Sequence, residues 1–358
     1  MMLHLLASYA TYRSFTDCIV LEETMRQSKD QREFLELLLR IRNGTINQKD
    51  WLAINERFEG NLSDEEKEAF LSTKVLTVME TWKEVNAENH DQLANLGVPV
   101  AVVPSKGTGR HHTLSEKQMG QIVQCCYLAV NSRTLLTKNQ IGMTGFGLNN
   151  GGIGIIIAIL YAKGVAPPDF PEAVVVDFPN YTGPAWVGHH PTRVPIPVNT
   201  GRCDNNCCVR RGFPLMPGYA IPIAKSQGMT IGPNNPCTHL RIKLQEETFM
   251  EAVSLGTSYT AFSRCSTYEA FTLVQKISQD RLFYINTYPR MQERRLEEQR
   301  LAKLSKETIE RNQHLAEPEV YLKLLHDFDV LCNDGITTTN CQQRNHDCTC
   351  LACKSMVG

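Results

Sequence analysis

The chain has 358 residues, enough for two domains, and 42% of them are hydrophobic, which is ample for a buried core. The formal net charge of −1 excludes a protein that binds nucleic acid through bulk positive charge, so any such contact must be local. No apolar run approaches the length of a membrane span, and no basic segment precedes the apolar start. We therefore expect an intracellular protein with no membrane partner, whose 13 scattered cysteines are reduced.

The first 140 residues alternate between helical and strand patterns. Asn47 and Ser63 stand where helix N-caps are expected, and Glu66 is placed to complete a capping box with Ser63. An alternation of this kind favours an α/β domain. The predicted helices are 31–41, 48–57, 84–96 and 116–128, and the predicted strands are 18–21, 75–79 and 133–136.

The pattern changes at Gly142, where glycine and proline become dense and helical periodicity disappears. The strands predicted there are short, which indicates a small, barrel-like all-β insertion over residues 141–212. Residues 213–290 return to α/β character and are assigned to one domain with residues 1–140. The strands predicted from 141 to 290 are 153–160, 173–178, 194–198, 219–223, 240–244 and 259–262, and a helix is predicted at 268–278.

A charged helix is predicted from residue 290 to residue 313, within an extension that covers residues 291–330. Its surface carries Glu–Arg pairs at i,i+4 spacing, such as Arg294 with Glu298. The apolar positions are too irregular for a coiled-coil seam, so we expect a solvated single helix.

The last segment, residues 331–358, is polar and rich in cysteine and is predicted to be disordered. Zinc prefers four ligands in a tetrahedron, and candidate ligands that crowd into 13 residues are poorly placed for one, so a tail without metal is the favoured alternative. Cys203, Cys207 and Cys208 form a weaker candidate of the same kind, with an exposed loop as the alternative. The candidates in the tail are Cys341, His346, Cys348, Cys350 and Cys353.

Three predicted strand ends carry groups suited to a polyanion. Arg26 follows the first strand, Lys225, Ser226 and Gln227 follow the strand at 219–223, and Arg264 follows the strand at 259–262. A guanidinium can donate two parallel hydrogen bonds to a phosphate and does not deprotonate. The alternatives are surface salt bridges for the two arginines and an ordinary turn for residues 225–228.

These residues also carry a resemblance to a known family. K-S-Q-G-M-T at 225–230 and Y-T-A-F-S-R at 259–264 resemble the fifth and sixth motifs of Pif-one-type superfamily 1 helicases, in their Helitron-related version. L-E-E-T-M-R-Q-S-K-D at 21–30 resembles the fourth motif. The resemblance covers roughly residues 5–285, with further landmarks in the same order at 147–151, 177–184, 194–196 and 213–215.

The resemblance implies a RecA-like second motor domain of the P-loop NTPase type, with the β insertion and a helical, cysteine-rich tail. Its activity would be 5′→3′ DNA unwinding coupled to ATP hydrolysis, with ATP and Mg²⁺ as cofactors, single-stranded DNA as partner, and a nuclear role in DNA repair and recombination. The family's fourth and sixth motifs place arginines at the γ-phosphate of ATP, which implies catalytic roles for Arg26 and Arg264. The implied nucleotide-binding residues are Gln27, Gly228 and Arg264, and the implied DNA-binding residues are Lys225, Ser226, Gln227, Thr230, Asn149 and Tyr181.

Two features depart from the family pattern. The order G-x-x-x-x-G-K-[ST] occurs nowhere in the 358 residues, so an upstream RecA-like lobe would supply the P-loop and most ATP and Mg²⁺ contacts. Where the family has Thr-Ile-His, Ala224 lacks an imidazole for DNA, and Pro222 removes a backbone donor from a strand expected to be central. The alternative function is therefore a non-catalytic, decayed mobile-element remnant that binds single-stranded nucleic acid or a partner.

Overall fold

The computed structural model describes residues 9–21, 23–72, 74–140, 142–245, 251 and 254–313. The chain divides into two compact units, one that joins Met1–Glu23 to Arg290–Gly358 and one formed by Thr24–Pro289. None of the helices in the described residues combines the length and the apolar character of a membrane span. The predictions for the tail, including its zinc candidates, lie outside the described residues.

The regular elements of the described residues are as follows. The helices are Arg32–Asn43, Gln48–Glu56, Asp64–Ala69, Trp82–Asn95, Thr257–Phe262, Gln279–Thr287 and Met291–Arg311. The strands are β1 (Val75–Met79), β2 (Ala101–Pro104), β3 (Lys106–Thr108), β4 (Cys125–Leu128), β5 (Arg133–Leu136), β6 (Ile153–Leu160), β7 (Ala173–Asp177), β8 (Arg193–Ile196), β9 (Asn199–Arg202), β10 (Val209–Gly212), β11 (Leu215–Pro217), β12 (Ala220–Pro222), β13 (His239–Lys243) and β14 (Phe271–Leu273).

A four-stranded parallel sheet lies at the centre of the larger unit, in the order β12–β1–β13–β14. Strands β1, β12 and β14 are nearly continuously apolar and buried, as expected for parallel strands that are covered on both faces. Strand β13 instead alternates buried Leu240 and Ile242 with half-buried polar residues. The helix Trp82–Asn95 packs against β12 and β1. The helix Arg32–Asn43 packs against the helices Thr257–Phe262 and Gln279–Thr287. This arrangement confirms the predicted α/β class.

Capping explains where two of the helices begin. The Asn47 side chain accepts hydrogen bonds from the Lys49 and Asp50 amides, and the Asp50 carboxylate accepts one from the Asn47 amide. Ser63 and Glu66 make the corresponding reciprocal pair at the start of Asp64–Ala69. The helix starts predicted from these side chains are confirmed.

The second sheet is antiparallel and has the order β11–β5–β6–β7–β8. Three of its strands come from residues 141–212, and β9 and β10 of the same segment form a further sheet with β3, in the order β3–β10–β9. The hydrogen-bonded order is linear, so the barrel-like closure of this segment stays a prediction. Buried Arg133 connects the two sheets, because its guanidinium donates to the carbonyl of Val75 and to Cys237 Sγ.

Three elements predicted for the larger unit from the local sequence pattern are wrong. Residues 259–262 belong to the helix Thr257–Phe262, because the Glu251 carboxylate accepts hydrogen bonds from the Gly256 and Ser258 amides and starts a helical turn. The predicted helix at 268–278 contains strand β14, and the predicted helix at 116–128 contains strand β4. In both segments the pairing with a neighbouring strand overrides the local pattern.

In the smaller unit, residues 9–21 lie along the helix Met291–Arg311. The amide of Cys18 donates to Thr308 Oγ1 at 3.1 Å, and the amide of Val20 donates to Ser305 Oγ at 3.0 Å. Ser305 and Thr308 are therefore buried, which corrects the expectation of a solvated single helix. Residues 18–21 form no strand, because these amides bond to side chains rather than to a neighbouring strand.

Candidate functional site

Arg26 is held in place by two hydrogen bonds from its half-buried guanidinium. Its Nη1 donates to the carbonyl of Ser263 at 2.8 Å, and its Nε donates to Thr230 Oγ1 at 3.3 Å. The neighbouring Gln27 is buried, and its Nε2 donates to the carbonyl of Cys265 at 2.8 Å. Two successive residues therefore fix this segment to residues 263–265. One N–H of the Gln27 amide is therefore used inside the protein, and its nucleotide contact stays a prediction.

Arg264 leaves the end of the helix Thr257–Phe262. Its Nε donates to the carbonyl of Thr260 at 3.0 Å, and its Nη2 donates to Ser263 Oγ at 2.9 Å. The backbone of Arg264 is itself fixed, since its carbonyl accepts a hydrogen bond from the Ile231 amide at 2.9 Å. The guanidinium is thus oriented by contacts with its own helix and Ser263, and the backbone that carries it is fixed by Ile231.

The two guanidiniums converge on Ser263, Arg26 at its carbonyl and Arg264 at its hydroxyl. Burial and the nearby positive charge of Arg26 lower the pKa of Arg264. Among the side chains that the structure describes, no carboxylate pairs with either arginine, and Nη2 of Arg26 and Nη1 of Arg264 make no hydrogen bond. Two like charges held together without a counter-charge form a site for an anion, and a phosphate accepts several such hydrogen bonds at once.

The turn after β12 begins as a 3₁₀ helix, Ile223–Ser226. Ser226 is buried and its hydroxyl donates to the carbonyl of Ile223 at 2.6 Å, so the implied DNA contact of this side chain lacks an exposed hydroxyl. Gln227 and Gly228 are exposed, and Gly228 has a φ of 86° with open space where a side chain would project. Thr230 accepts from Arg26, which ties this turn to the arginine pair.

Lys225 faces a groove rather than open solvent. Its Nζ lies 5.0 Å from the centroid of the Trp82 ring and 3.8 Å from Met216 Sδ. Burial lowers the pKa of Lys225, and the carboxylate of Glu116 partly opposes that shift. The groove therefore holds the Lys225 ammonium group over an aromatic face, and Glu116 and Lys117 also line it.

Trp82 is a functional candidate that sequence reasoning missed. It is 43% exposed and is the first residue of the helix that begins directly after β1. The signal was present, because polar and aromatic groups at the carboxyl ends of parallel strands commonly face a ligand. Because Trp82 follows β1, and β1 and β12 are parallel neighbours, its place in the sequence could have predicted that it lies near the residues that follow β12.

Pro222 does not occupy a central strand, which corrects the expectation from sequence. Strand β12 is the first in the order of the described parallel sheet, and Pro222 is its last residue. Asn89 satisfies the free edge of β12, since its side chain donates to the Ala220 carbonyl and accepts from the Ala220 amide, both at 2.9 Å. Proline is tolerated at such a position because the edge needs no further donor. Ala224 is exposed and lacks a polar side chain, as the sequence indicates.

The two residues of the β insertion that are implied to contact DNA differ in exposure. Asn149 is exposed on a turn. Tyr181 is only 4% exposed, and its hydroxyl donates to the carbonyl of Pro184 and accepts from Trp186 Nε1, each at 3.0 Å. The Tyr181 side chain thus stabilises its own loop through its hydroxyl group. The aromatic side chain of this loop that faces solvent is Trp186, which is 56% exposed.

Comparison with solved structures shows which known proteins have a similar fold. No protein-family model and no curated protein matches the chain. A Bacteroides Pif1 helicase in complex with ADP-AlF3 and single-stranded DNA matches with 20% identity and a TM-score of 0.51, over 73% of this chain and 53% of that chain. Bacteroides Pif1 bound to single-stranded DNA matches with 20% identity and a TM-score of 0.50, over 74% and 53%. Pif1 helicases that unwind forked double-stranded DNA match with 19% identity and a TM-score of 0.50, over 72% and 50%.

This chain spans about half the length of the solved structures that it matches. The described residues therefore have an α/β, RecA-like fold, and it is the fold of Pif1 helicases over about half of their length.

Proposed function

We propose that this chain is the C-terminal motor domain of an ATP-dependent 5′→3′ DNA helicase. The observation that carries the proposal is the convergence of Arg26 and Arg264 on Ser263, with no carboxylate partner for either one among the described residues. In the proposed motor, ATP and Mg²⁺ are held mainly by an upstream lobe with a P-loop. This lobe contributes the two arginines, which stabilise the charge that develops on the transferred γ-phosphoryl group.

The hydrogen bonds of the two arginines support this proposed role. Each arginine is anchored through two of its nitrogen atoms, which leaves Nη2 of Arg26 and Nη1 of Arg264 as donors that face no protein acceptor among the described residues. Anchoring limits the entropy lost when a phosphate arrives. Guanidiniums also stay protonated near a like charge, since their pKa lies far above neutrality. The pair can therefore act without any proton transfer.

Single-stranded DNA is the proposed second ligand, bound along the turn from Lys225 to Thr230. Lys225 and Trp82 combine an ammonium for phosphate with an aromatic face for a base, and Gln227 is exposed beside them. Thr230 closes the turn on Arg26 at 3.3 Å, so DNA on the turn and phosphate at the arginines share one hydrogen-bonded segment. This segment is the proposed path of coupling between the two ligands.

DNA binding should be weak and should fall as salt rises. Lys225→Gln removes one phosphate contact, so the slope of log K against log salt should become shallower by about 0.7. Trp82→Ala should weaken binding by about 1–3 kcal/mol, because a stacked base loses its partner. Titration of a fluorescent single-stranded oligonucleotide at three salt concentrations measures both quantities.

Lys49→Gln is the matched control, since Lys49 is exposed on the helix Gln48–Glu56, outside the proposed DNA site. It should leave both affinity and slope unchanged. Affinity that does not respond to salt, or equal effects of the Lys49 and Lys225 substitutions, would remove this turn from the DNA site.

The 358-residue chain alone should not hydrolyse ATP. The phosphates of ATP are bound in such motors by the P-loop amides and lysine together with Mg²⁺, and the sequence has no P-loop. A coupled-enzyme assay with single-stranded DNA checks this, with the inactive Arg264→Ala protein as a measure of contaminating activity. Turnover that depends on DNA and disappears in Arg264→Ala would reveal a complete nucleotide site within this chain.

A second candidate function is non-catalytic binding of single-stranded nucleic acid, as in a decayed mobile-element protein. The observation that favours it is Ala224, which is exposed where the family carries an imidazole. The two functions are distinguished by joining this chain to a P-loop lobe. The helicase proposal expects DNA-stimulated ATP turnover in the joined protein, and the second candidate expects DNA binding without it.

A further inference from the structure

Three cysteine sulfur atoms meet at the tip of the hairpin formed by β9 and β10. Sγ of Cys203 lies 3.5 Å from Sγ of Cys207, which lies 3.5 Å from Sγ of Cys208. All three atoms lie within 4.8 Å of one another, and none is in a disulfide. Cys203 and Cys208 are buried, whereas Cys207 is exposed, so the cluster is open to solvent on one side.

The hairpin itself creates this geometry. Strands β9 and β10 pair up to Val209 and Arg202, and the next pair continues the ladder, because the Cys203 amide donates to the Cys208 carbonyl at 3.1 Å. The turn between them closes when the Asn206 amide donates to the Cys203 carbonyl at 2.8 Å and Asn206 takes a left-handed φ of 53°. This conformation suits asparagine and points the three sulfur atoms to one side of the turn.

Backbone contacts prepare the sulfur of Cys203 for negative charge. The Cys208 amide donates to Cys203 Sγ at 3.2 Å. The thiolate is the form of cysteine that binds metal.

The sulfur spacing matches a tetrahedral metal. Zinc bonds to thiolate at about 2.3 Å, which places neighbouring sulfurs about 3.8 Å apart in a tetrahedron. The two spacings of 3.5 Å reach that value with a small outward movement of the sulfurs. Hydrophobic packing against Met119 would account for Cys203 and Cys208, but it does not account for Cys207, whose exposed thiol gains no burial from the same position.

We propose that Cys203, Cys207 and Cys208 bind one zinc ion, with water in the fourth position on the exposed side. Soft thiolate ligands select zinc over magnesium or calcium. Three thiolates replace the hydrogen-bonded thiols, and their protons pass to solvent as the metal binds. The ion joins the two ends of the turn and so stabilises the hairpin of β9 and β10, which pairs with β3.

The test compares metal content in the full chain with that of the Cys207→Ser chain, both purified in reducing buffer with added Zn²⁺ and then desalted. Because Cys207 is exposed, its replacement should leave the fold intact, which circular dichroism checks. The wild type should carry one equivalent more zinc than Cys207→Ser, whatever the remaining cysteines bind. Cys125→Ser is the control, since Cys125 is half-buried and outside the cluster, and it should retain the wild-type content.

Two further measurements make the result decisive. Co²⁺ added to the metal-free wild type should give thiolate-to-cobalt absorption that is stronger than in Cys207→Ser, and removal of zinc by a chelator should lower the melting temperature of the wild type but not of Cys207→Ser. Equal zinc content and equal cobalt spectra in the two proteins would overturn the proposal. The proposal would also be overturned if Cys203 and Cys207 form a disulfide without reductant and the three cysteines take up no metal when reductant is present.

Discussion

Arg264→Lys should lower DNA-stimulated ATP turnover by about 10³-fold in a protein that joins this chain to a P-loop lobe, the scale seen when an arginine finger is lost. Lysine keeps the positive charge but loses the planar fork. Its single nitrogen cannot reproduce the fixed spacing of Nε and Nη2 that holds Arg264 to Thr260 and Ser263, so its ammonium is poorly oriented. The loss should appear in kcat, because the contact strengthens as charge develops on the phosphoryl group. Steady-state turnover at saturating DNA and ATP measures it.

Arg32→Lys is the matched control for this prediction. Arg32 has an 83% exposed side chain that pairs with Glu36, and it should tolerate lysine without loss of turnover. DNA affinity and the melting temperature of Arg264→Lys should equal those of the wild type, which separates lost chemistry from lost structure. Near-full turnover in Arg264→Lys would assign this residue to the support of Ser263 instead.

Local sequence signals predicted the parts of the fold that depend on neighbours in the chain. The helix starts at Asn47 and Ser63 were predictable because a capping side chain and its partner amides lie within three residues. The strands at 75–79 and 133–136 were predictable because they are short and contain neighbouring Leu, Val or Thr residues typical of buried strands. Such features need no knowledge of the tertiary structure.

The failures share a different cause, which is tertiary pairing. Residues 271–273 form strand β14 because β13 offers a free edge, and nothing in the local pattern of residues 268–278 reveals that edge. Residues 257–262 form a helix because Glu251, several residues upstream, supplies its first acceptor. The sequence shows both segments as apolar and leaves the choice between helix and strand open.

The site shows the same division. The motif residues were identified in sequence, and the structure brings Arg26 and Arg264 to Ser263 and Thr230 to Arg26. The direction of individual side chains was not predictable, since Ser226 turns to its own backbone. Tyr181 likewise turns to its own loop. A sequence motif gives the residue type and its order along the chain, but not whether a hydroxyl or a ring faces solvent.

A buried group of three charged side chains could not be predicted from the sequence either. Its disruption has the largest change in stability that we expect. The side chains of Arg281, Glu80 and Glu251 are all fully buried. Arg281 Nη2 lies 2.5 Å from Glu80 Oε1 and 3.7 Å from Glu251 Oε1, and Arg281 Nη1 also donates to the carbonyl of Gln245. Three distant segments thus meet on one guanidinium.

Arg281→Met should lower the free energy of unfolding of the larger unit by about 3–5 kcal/mol. Methionine fills a similar volume, but it leaves the carboxylates of Glu80 and Glu251 buried without a cation. All three tryptophans, Trp51, Trp82 and Trp186, lie in Thr24–Pro289, so their fluorescence in a urea titration reports on this unit alone. The midpoint should move to lower urea while the slope stays constant.

Arg32→Met is the control for Arg281→Met, because the ion pair of Arg32 with Glu36 is exposed and should contribute at most about 0.5 kcal/mol. Adding Glu80→Gln to Arg281→Met should restore part of the lost stability, since it removes one of the uncompensated charges. That recovery tests the electrostatic cause directly, because a loss due only to packing would grow with a second substitution. An Arg281→Met protein as stable as Arg32→Met would show that water or a shift of the segment around Glu251 relieves the buried carboxylates.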